Sequence, residues 1–155
     1  MIRVVFICLG NICRSPMAEA ILRKKVEEAG LSHLIHIDSA GTGSWHAGSK
    51  PHAGTKKILE RENIPDRGMT AREITPEDLE ADYVAAMDAS NLGFIHRMAG
   101  HEKEINAFRL LDLLSEKKEP DVPDPYMTGD FNETYILIDE GTDALLSYIR
   151  EQENI

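Results

Sequence analysis

The order of the predicted elements constrains the fold of this chain more than any other feature. Short apolar runs typical of strands alternate with longer segments whose apolar residues recur at helical spacing. Such alternation predicts an α/β fold in which a parallel sheet is covered by helices on both faces. The predicted strands are 2–8, 34–39, 82–88 and a fourth near 104–109, and the predicted helices are 16–29, 51–63, 90–98 and 130–151.

Helix boundaries follow from residues that favour helix ends. Ser15 is predicted to cap the first helix, Pro16 to lie in its first turn, and Gly30 to end it. Further along, Thr75 and Asp78 have the spacing of a capping box around Pro76. The absence of repeats, low-complexity tracts and linkers predicts a single domain over residues 1–155.

Composition narrows the possible partners and the compartment. The formal net charge of −10 argues against nucleic acids and anionic membranes, which need a basic surface. No apolar run approaches the length of a membrane span, and the N-terminal apolar patch is interpreted as a buried strand. Two neighbouring cysteines cannot form a disulfide framework, so we expect a cytoplasmic protein, and we expect it to be a monomer.

A cysteine and an arginine flank a tight loop at the end of the first predicted strand. In CLGNICRSP, residues 8–16, the Cys8–Arg14 loop leads into a helix N-terminus, where backbone N–H groups favour negative charge. Gly10 and Asn11 both tolerate a positive φ, which would let the loop curl around an anion. Arg14 supplies a planar fork for two phosphate oxygens, and Ser15 is placed to hydrogen-bond a Cys8 thiolate. The pattern predicts a phosphate-binding loop with a nucleophile at its base.

A proton donor is also needed if the nucleophile is to displace a phosphorylated oxygen. Asp124 lies between Pro123 and Pro125, which restrict the backbone on both sides and hold the carboxyl group in a set direction. A fixed position is most of what a general acid requires. The loop around it, residues 116–130, is long, acidic and rich in proline, as functional loops often are.

Four segments together resemble the low-molecular-weight protein tyrosine phosphatases. They are CLGNICRSPMAE at 8–19, DSAGTGSW at 38–45, MDASNL at 87–92 and DPY at 124–126, and they span nearly the whole chain in the family's order. The resemblance implies a four-stranded parallel sheet of order 2-1-3-4. It also implies metal-independent hydrolysis of phosphotyrosine in proteins through a phosphocysteine, with inorganic phosphate as product and no cofactor.

Residue roles follow from the same resemblance. Cys8, Arg14 and Asp124 are the expected catalytic residues, and Ser15 supports the thiolate. Asn11 and Ser39 fix the shape of the loop. The expected substrate-binding residues are Leu9, Gly10, Asn11, Ile12, Cys13, Arg14, Trp45 and Tyr126.

Specificity is predicted from three side chains. Trp45 and Tyr126 would form the walls of a slot for a phenyl ring. Similar proteins that act on phosphoarginine carry Thr at the loop position of Ile12, and an apolar Ile suits an aromatic ring instead. A phosphoarginine phosphatase and a phosphoprotein-binding module without turnover remain the alternatives.

Two departures from the family pattern concern methionines. Met127 follows DPY where many members have a second Tyr, which puts control by tyrosine phosphorylation there in doubt. Met69 occupies the position of a His that supports the loop in mammalian-type members, so this part of the support is expected to differ.

Cys13 and three rival functions complete the prediction. A Cys8–Cys13 disulfide could protect the nucleophile from oxidation, or Cys13 could be a buried structural thiol, and both alternatives stay open. An arsenate reductase would need cysteines after Cys13, and there are none. GTGSWHAG at 41–48 does not fit a dinucleotide-binding fingerprint, and the acidic loop does not fit an EF-hand. The six histidines form no ligand pattern, so no metal is expected.

Overall fold

The computed structural model describes residues 1–114 and 120–155, and within them the sheet has the predicted topology. Four parallel strands lie in the order β2-β1-β3-β4. The strands are β1 (Ile2–Cys8), β2 (Ile35–Gly41), β3 (Tyr83–Ala86) and β4 (Ala107–Arg109). The helices are α1 (Arg14–Glu28), α2 (Ala53–Arg61), α3 (Ala89–Ala99), α4 (Pro125–Thr128) and α5 (Phe131–Glu153), with 3-10 turns at Pro76–Glu80 and Leu110–Leu113. The predicted fold class and strand order are confirmed.

Strand β1 runs through the centre of the sheet and is buried on both faces. Val4, Phe6 and Cys8 point into the larger core cluster, whereas Val5 and Ile7 point into a second cluster on the other face. This division follows the two-residue period of a strand and explains why the sequence is continuously apolar here.

The helices cover the two faces unequally. Helices α1, α2 and α5 pack against one another over the larger cluster, and α3 covers the smaller one together with the Pro76–Glu80 turn. Leu145, Ile138 and Ile149 of α5 are fully buried, which accounts for the apolar content of that long helix.

Helix α1 begins earlier than predicted, and the expected Ser15 cap is wrong. The helix starts at Arg14 with Cys13 at the cap position, and no side chain caps it. The Ser15 hydroxyl instead bonds Cys8 and Asn11, so it is not available to the helix terminus. Gly30 does end the helix as predicted, with a φ of 73°.

Other differences are confined to element ends. The third strand stops at Ala86 because Asp88 caps α3, its carboxylate accepting a hydrogen bond of 2.8 Å from the Asn91 N–H. The predicted capping box is present at Thr75 and Asp78, although the turn it starts is a 3-10 helix. Residues 116–119 of the predicted acidic loop lie outside the described residues, and its remainder includes the short helix α4.

The register of the strands brings three chain segments to one edge of the sheet. Cys8 pairs with Gly41 of β2, and Ile7 pairs with Ala86 of β3, so the segments after these strands meet. A side chain at Gly41 would lie 2.9 Å from the Leu9 carbonyl oxygen, which shows how closely the two segments approach. No helix within the described residues is long and apolar enough to cross a membrane.

Two helical glycines allow the packing of α5 to be tested against a matched control. A Cβ at Gly141 would lie 2.7 Å from Cγ of the buried Leu110, whereas a Cβ at Gly93 in α3 would meet only the end of the Arg97 side chain, at 3.2 Å. We expect Gly141→Ala to lower the free energy of unfolding by about 1–3 kcal/mol because the site becomes overpacked. Gly93→Ala should raise it by about 0.5–1 kcal/mol through helix propensity.

Urea unfolding of the two variants beside the wild type measures both changes. A stabilising Gly141→Ala would contradict the tight packing of α5 on the Leu110–Leu113 turn.

Candidate active site

The Cys8–Arg14 loop presents a row of backbone donors. Cys8 ends β1 and Arg14 begins α1, so residues 9–13 form the connection between them. The N–H groups of residues 9–13 have no hydrogen-bond acceptor among the described residues. Unpaired N–H groups at a helix N-terminus form a site suited to an anion.

The two residues predicted to allow a positive φ differ in the structure. Asn11 has a φ of 55°, as expected, but Gly10 is not among the residues with positive φ. Glycine at position 10 leaves space for the His46 ring, because a Cβ there would lie 2.9 Å from His46 Cδ2. The positive φ predicted for Gly10 is therefore wrong, and no local pattern indicated its contact with His46.

A directed chain of hydrogen bonds supports the loop from below. The Asn11 amide accepts from the Arg72 N–H at 3.0 Å and donates to Ser15 Oγ at 2.7 Å and Ser39 Oγ at 3.0 Å. Ser39 in turn donates to the buried Glu19 carboxylate at 2.6 Å. Because Ser15 Oγ accepts from Asn11, its own hydrogen is free for Cys8 Sγ, 3.0 Å away. A hydroxyl donor at this distance stabilises a thiolate.

Arg14 is held by partners on one side of its guanidinium. Its Nη1 donates to Asp88 at 2.6 Å and to the Val122 carbonyl at 3.0 Å, while Nη2 lies 3.6 Å from Asp124. Burial lowers the pKa of Arg14, but Cys8, Asp88 and Asp124 together raise it by more, and the net shift is upward. The group stays charged, and its Nε and Nη2 make no hydrogen bond within the described residues.

The segment that carries Asp124 is attached to the sheet and to α5. Val122 donates its N–H to Met87 at 2.8 Å, and the Pro123 carbonyl accepts from Thr134 at 3.3 Å. Asp124 Oδ1 accepts from the Tyr126 N–H at 3.0 Å and so caps α4. Oδ2 is left to face Arg14.

These groups surround a cavity of about 230 Å³. Cys8 and Arg14 lie in it opposite Asp124, and Trp45 and Tyr126 are largely exposed at its mouth. The Trp45 ring covers Gly43 so closely that a Cβ there would lie 1.5 Å from Cζ3. The lining residues are Cys8, Leu9, Gly10, Ile12, Cys13, Arg14, Trp45, His46, Asp124, Tyr126 and Met127.

The residues predicted to bind substrate thus line one cavity, with the exception of Asn11. The Asn11 side chain bonds Ser15 and Ser39, and Asn11 is not among the residues that line the cavity. Cys13 is buried in the reduced form, as is Cys8. Burial, reinforced by the charges of Cys8 and Asp124, raises the pKa of Cys13 to about 12, which keeps it a thiol at neutral pH.

Several site residues were missed by the sequence analysis. Asp88 follows β3, the neighbour of β1, and its place at the carboxyl end of a parallel strand was a usable signal. Glu19 follows Ser15 by four residues on α1, which puts both on one helix face. His46, Met127 and the Arg72 N–H carried no local signal. Met69 makes no part of this support and packs against the larger core cluster.

No group of three or more His, Cys, Asp or Glu residues is placed to hold a metal ion in the part of the chain that the structure describes.

Comparison with known proteins agrees with this site. The chain belongs to the low molecular weight phosphotyrosine protein phosphatase family, whose model matches residues 3–154. The predicted family resemblance is confirmed.

Individual relatives match over nearly the full chain. The low molecular weight protein-tyrosine-phosphatase YfkJ of Bacillus subtilis is 49% identical over 156 residues, covering 100% of both chains. Its crystal structure has a TM-score of 0.96 and covers 98% of this chain and 96% of the other. PtpA of Staphylococcus epidermidis is 44% identical over 100% of this chain and 98% of its own. A Drosophila arginine phosphatase structure is 32% identical, with a TM-score of 0.88 over 95% of this chain and 97% of its own.

The support of the loop by Asn11 can be separated into hydrogen bonding and backbone conformation. We expect Asn11→Ala to lower the free energy of unfolding by about 2–4 kcal/mol, because it removes three hydrogen bonds and places alanine in the left-handed region. Asn11→Gly loses the same bonds without the conformational cost and should be about 1 kcal/mol more stable than Asn11→Ala. Equal stability of the two variants in urea unfolding would show that the φ of 55° costs alanine nothing.

Proposed function

We propose that this protein hydrolyses phosphotyrosine in proteins, and aryl phosphates, through a phosphocysteine intermediate. The observation that carries the proposal is one cavity lined by Cys8, Arg14 and Asp124 and by the loop of residues 9–13, whose N–H groups have no acceptor within the described residues. Family membership supports the same reaction class. The described side chains supply each function that the reaction needs.

The first step is attack of the Cys8 thiolate on phosphorus. The Ser15 hydroxyl holds the thiolate, and the loop N–H groups and Arg14 bind the three non-bridging oxygens. Asp88 and Val122 occupy Nη1 of Arg14, so Nε and Nη2 remain to form the fork toward the phosphoryl group. As the S–P bond forms, the bond from phosphorus to the tyrosine oxygen breaks.

Asp124 supplies the proton for the departing phenolate. Its Oδ1 accepts from the Tyr126 N–H, so Oδ2 is the atom that faces the cavity and carries the proton. In the second step the ionised Asp124 takes a proton from water as the water oxygen attacks phosphorus. Inorganic phosphate leaves, and the Cys8 thiolate and protonated Asp124 are restored.

The walls of the cavity favour an aromatic leaving group. Trp45 and Tyr126 border the mouth, and Ile12, in contact with Ala71 and Phe131, provides an apolar surface without a hydroxyl. This arrangement supports phosphotyrosine over phosphoarginine as the substrate.

We also propose that the protein acts in the cytoplasm as a single-domain monomer. The two reduced thiols at the site suit a reducing compartment. Cys8, Arg14 and Asp124 meet within one chain, so the site needs no second copy.

The assigned catalytic roles predict different responses to the leaving group. Cys8→Ser should have no measurable turnover, because an alcohol is a far weaker nucleophile than a thiolate. Asp124→Asn should lower kcat/KM for phenyl phosphate by about 10²–10⁴-fold and lower it less for 2,4-dinitrophenyl phosphate, whose leaving group needs little protonation. Asp121→Asn is the matched control from the same loop and should respond alike to both substrates. An equal loss with both substrates in Asp124→Asn would remove Asp124 as the acid.

Substrate preference tests the assignment of Ile12. We expect the wild type to cleave a phosphotyrosine peptide with a kcat/KM at least 100-fold (about 3 kcal/mol) above that for a matched phosphoarginine peptide. Ile12→Thr should narrow this ratio, since it adds a hydroxyl at the base of the cavity, and Ile12→Val is the control that keeps it. Preference for phosphoarginine by the wild type would assign the protein to the alternative substrate. Binding of either phosphopeptide without turnover would instead make it a binding module.

A further inference from the structure

One border of the cavity is formed by a segment that lacks acidic residues. The chain has 27 Asp and Glu residues, yet none lies between Asp38 and Glu60. This acid-free segment, residues 39–59, instead carries Lys50, Lys56 and Lys57 together with two histidines. In a protein of net charge −10 it is a local region of opposite sign.

The lysines of the acid-free segment form no ion pairs within the described residues. Lys50 and Lys57 are exposed and Lys56 is half-buried. None of the three forms an ion pair or a side-chain hydrogen bond within residues 1–114 and 120–155. By contrast, Lys25 pairs with two carboxylates and Arg72 with two more. The positive charge of the segment is therefore available to a partner.

Both ends of the loop that carries Lys50 contact the cavity wall. His46 lines the cavity, and its ring centroid lies 6.3 Å from that of Tyr126. The His52 ring centroid lies 5.9 Å from that of Tyr126, and the His52 backbone N–H donates to the Ile12 carbonyl at 2.8 Å. Lys50 lies between these histidines, and Lys56 follows His52 by about one turn of α2.

The neighbouring segment, which reaches the cavity at Asp124 and Tyr126, has the reverse charge. Asp121, Asp124 and Asp130 follow one another on the segment that leads into α5. Each is already bonded: Asp121 to the Ala89 N–H and Arg109, Asp124 to Arg14, and Asp130 to the Glu133 N–H. A peptide with its phosphotyrosine in the cavity can therefore reach the lysines of the acid-free segment, whereas these three carboxylates are already bonded.

We propose that the acid-free segment is a docking surface for acidic residues that flank phosphotyrosine in the substrate, with Lys50, Lys56 and Lys57 as the contacting charges. The proposal rests on the proposed function and adds the substrate class to it. A peptide is the occupant because the surface is continuous with the cavity that takes the phosphoryl group. A long polyanion such as a nucleic acid would be repelled by the acidic remainder of the chain.

The test uses two phosphotyrosine peptides that differ only in flanking charge, one with Glu and the other with Gln at the same positions. We expect kcat/KM to be about fivefold or more higher for the acidic peptide at low salt, since each exposed pair contributes modestly. This ratio should fall toward 1 in 0.5 M NaCl. In a K50E/K56E/K57E variant the ratio should fall to 1 or below.

A variant with the same change of charge elsewhere is the control. R97E/K103E/R150E places its reversals on α3, before β4 and at the end of α5, and it should keep the wild-type ratio. Equal kcat/KM for the two peptides in the wild type would overturn the proposal, as would a preserved ratio in the lysine variant. A comparable loss in the control variant would also overturn it, because the effect would then be one of net charge.

A binding measurement separates this proposal from the proposed function. The Cys8→Ser form binds without turning over, so calorimetric titration gives the affinity for both peptides directly. If the acidic peptide binds more tightly and the wild type shows no turnover, the docking surface stands and the assignment as a phosphatase fails. If turnover is observed without preference in either measurement, the phosphatase stands and the docking surface fails.

Discussion

The orientation of one buried amide governs the chemistry of the site. Asn11 accepts from a backbone N–H on one side and donates twice on the other, and this polarity fixes where the hydrogens of Ser15 and Ser39 can point. Glu19 lies at the other end of this hydrogen-bond chain, where its carboxylate accepts the Ser39 hydroxyl hydrogen at 2.6 Å. The Ser15 hydrogen is then directed at Cys8. The sulfur at the end of an apolar strand thus has a hydroxyl donor directed at it, and Asn11 also sets the curvature of the loop through its positive φ.

Carboxylates flank the buried guanidinium group of Arg14. Arg14 is almost fully buried, which is costly for a cation, and Asp88 offsets that cost by pairing with Nη1 on one side of the guanidinium. One carboxylate therefore orients the guanidinium while leaving its other edge open. Asp124 lies near that open edge, with its Oδ2 3.6 Å from Nη2, so the guanidinium has a second carboxylate close to its other side. The same principle places Arg72 between Asp38 and Asp78 beneath the loop.

Much of the fold could be predicted because hydrophobic period and helix-end residues are local signals. The order and type of the elements, the parallel sheet and the meeting of Cys8, Arg14 and Asp124 followed from strand ends and loop composition. What escaped prediction depended on contacts between distant segments. Ser15 was expected at a helix cap because serine prefers that position, but Cys8 and Asn11 use its hydroxyl. Gly10 was expected to adopt a positive φ, whereas the structure shows it in close contact with His46, 36 residues further along. Asp88 differs from these residues. Its position after the central strand β3 indicated a site residue, but the sequence analysis did not use this signal.

The exposed Trp45 provides an intrinsic fluorescence probe of the site. It is the single tryptophan of the chain, and 71% of its surface is accessible to solvent at the mouth of the cavity. All tryptophan emission therefore comes from the mouth of the cavity and reports directly on any group that binds next to Trp45. Because the indole is already exposed to solvent in the native state, unfolding changes its environment little. Fluorescence from this residue will follow occupancy of the cavity far better than it follows the integrity of the fold.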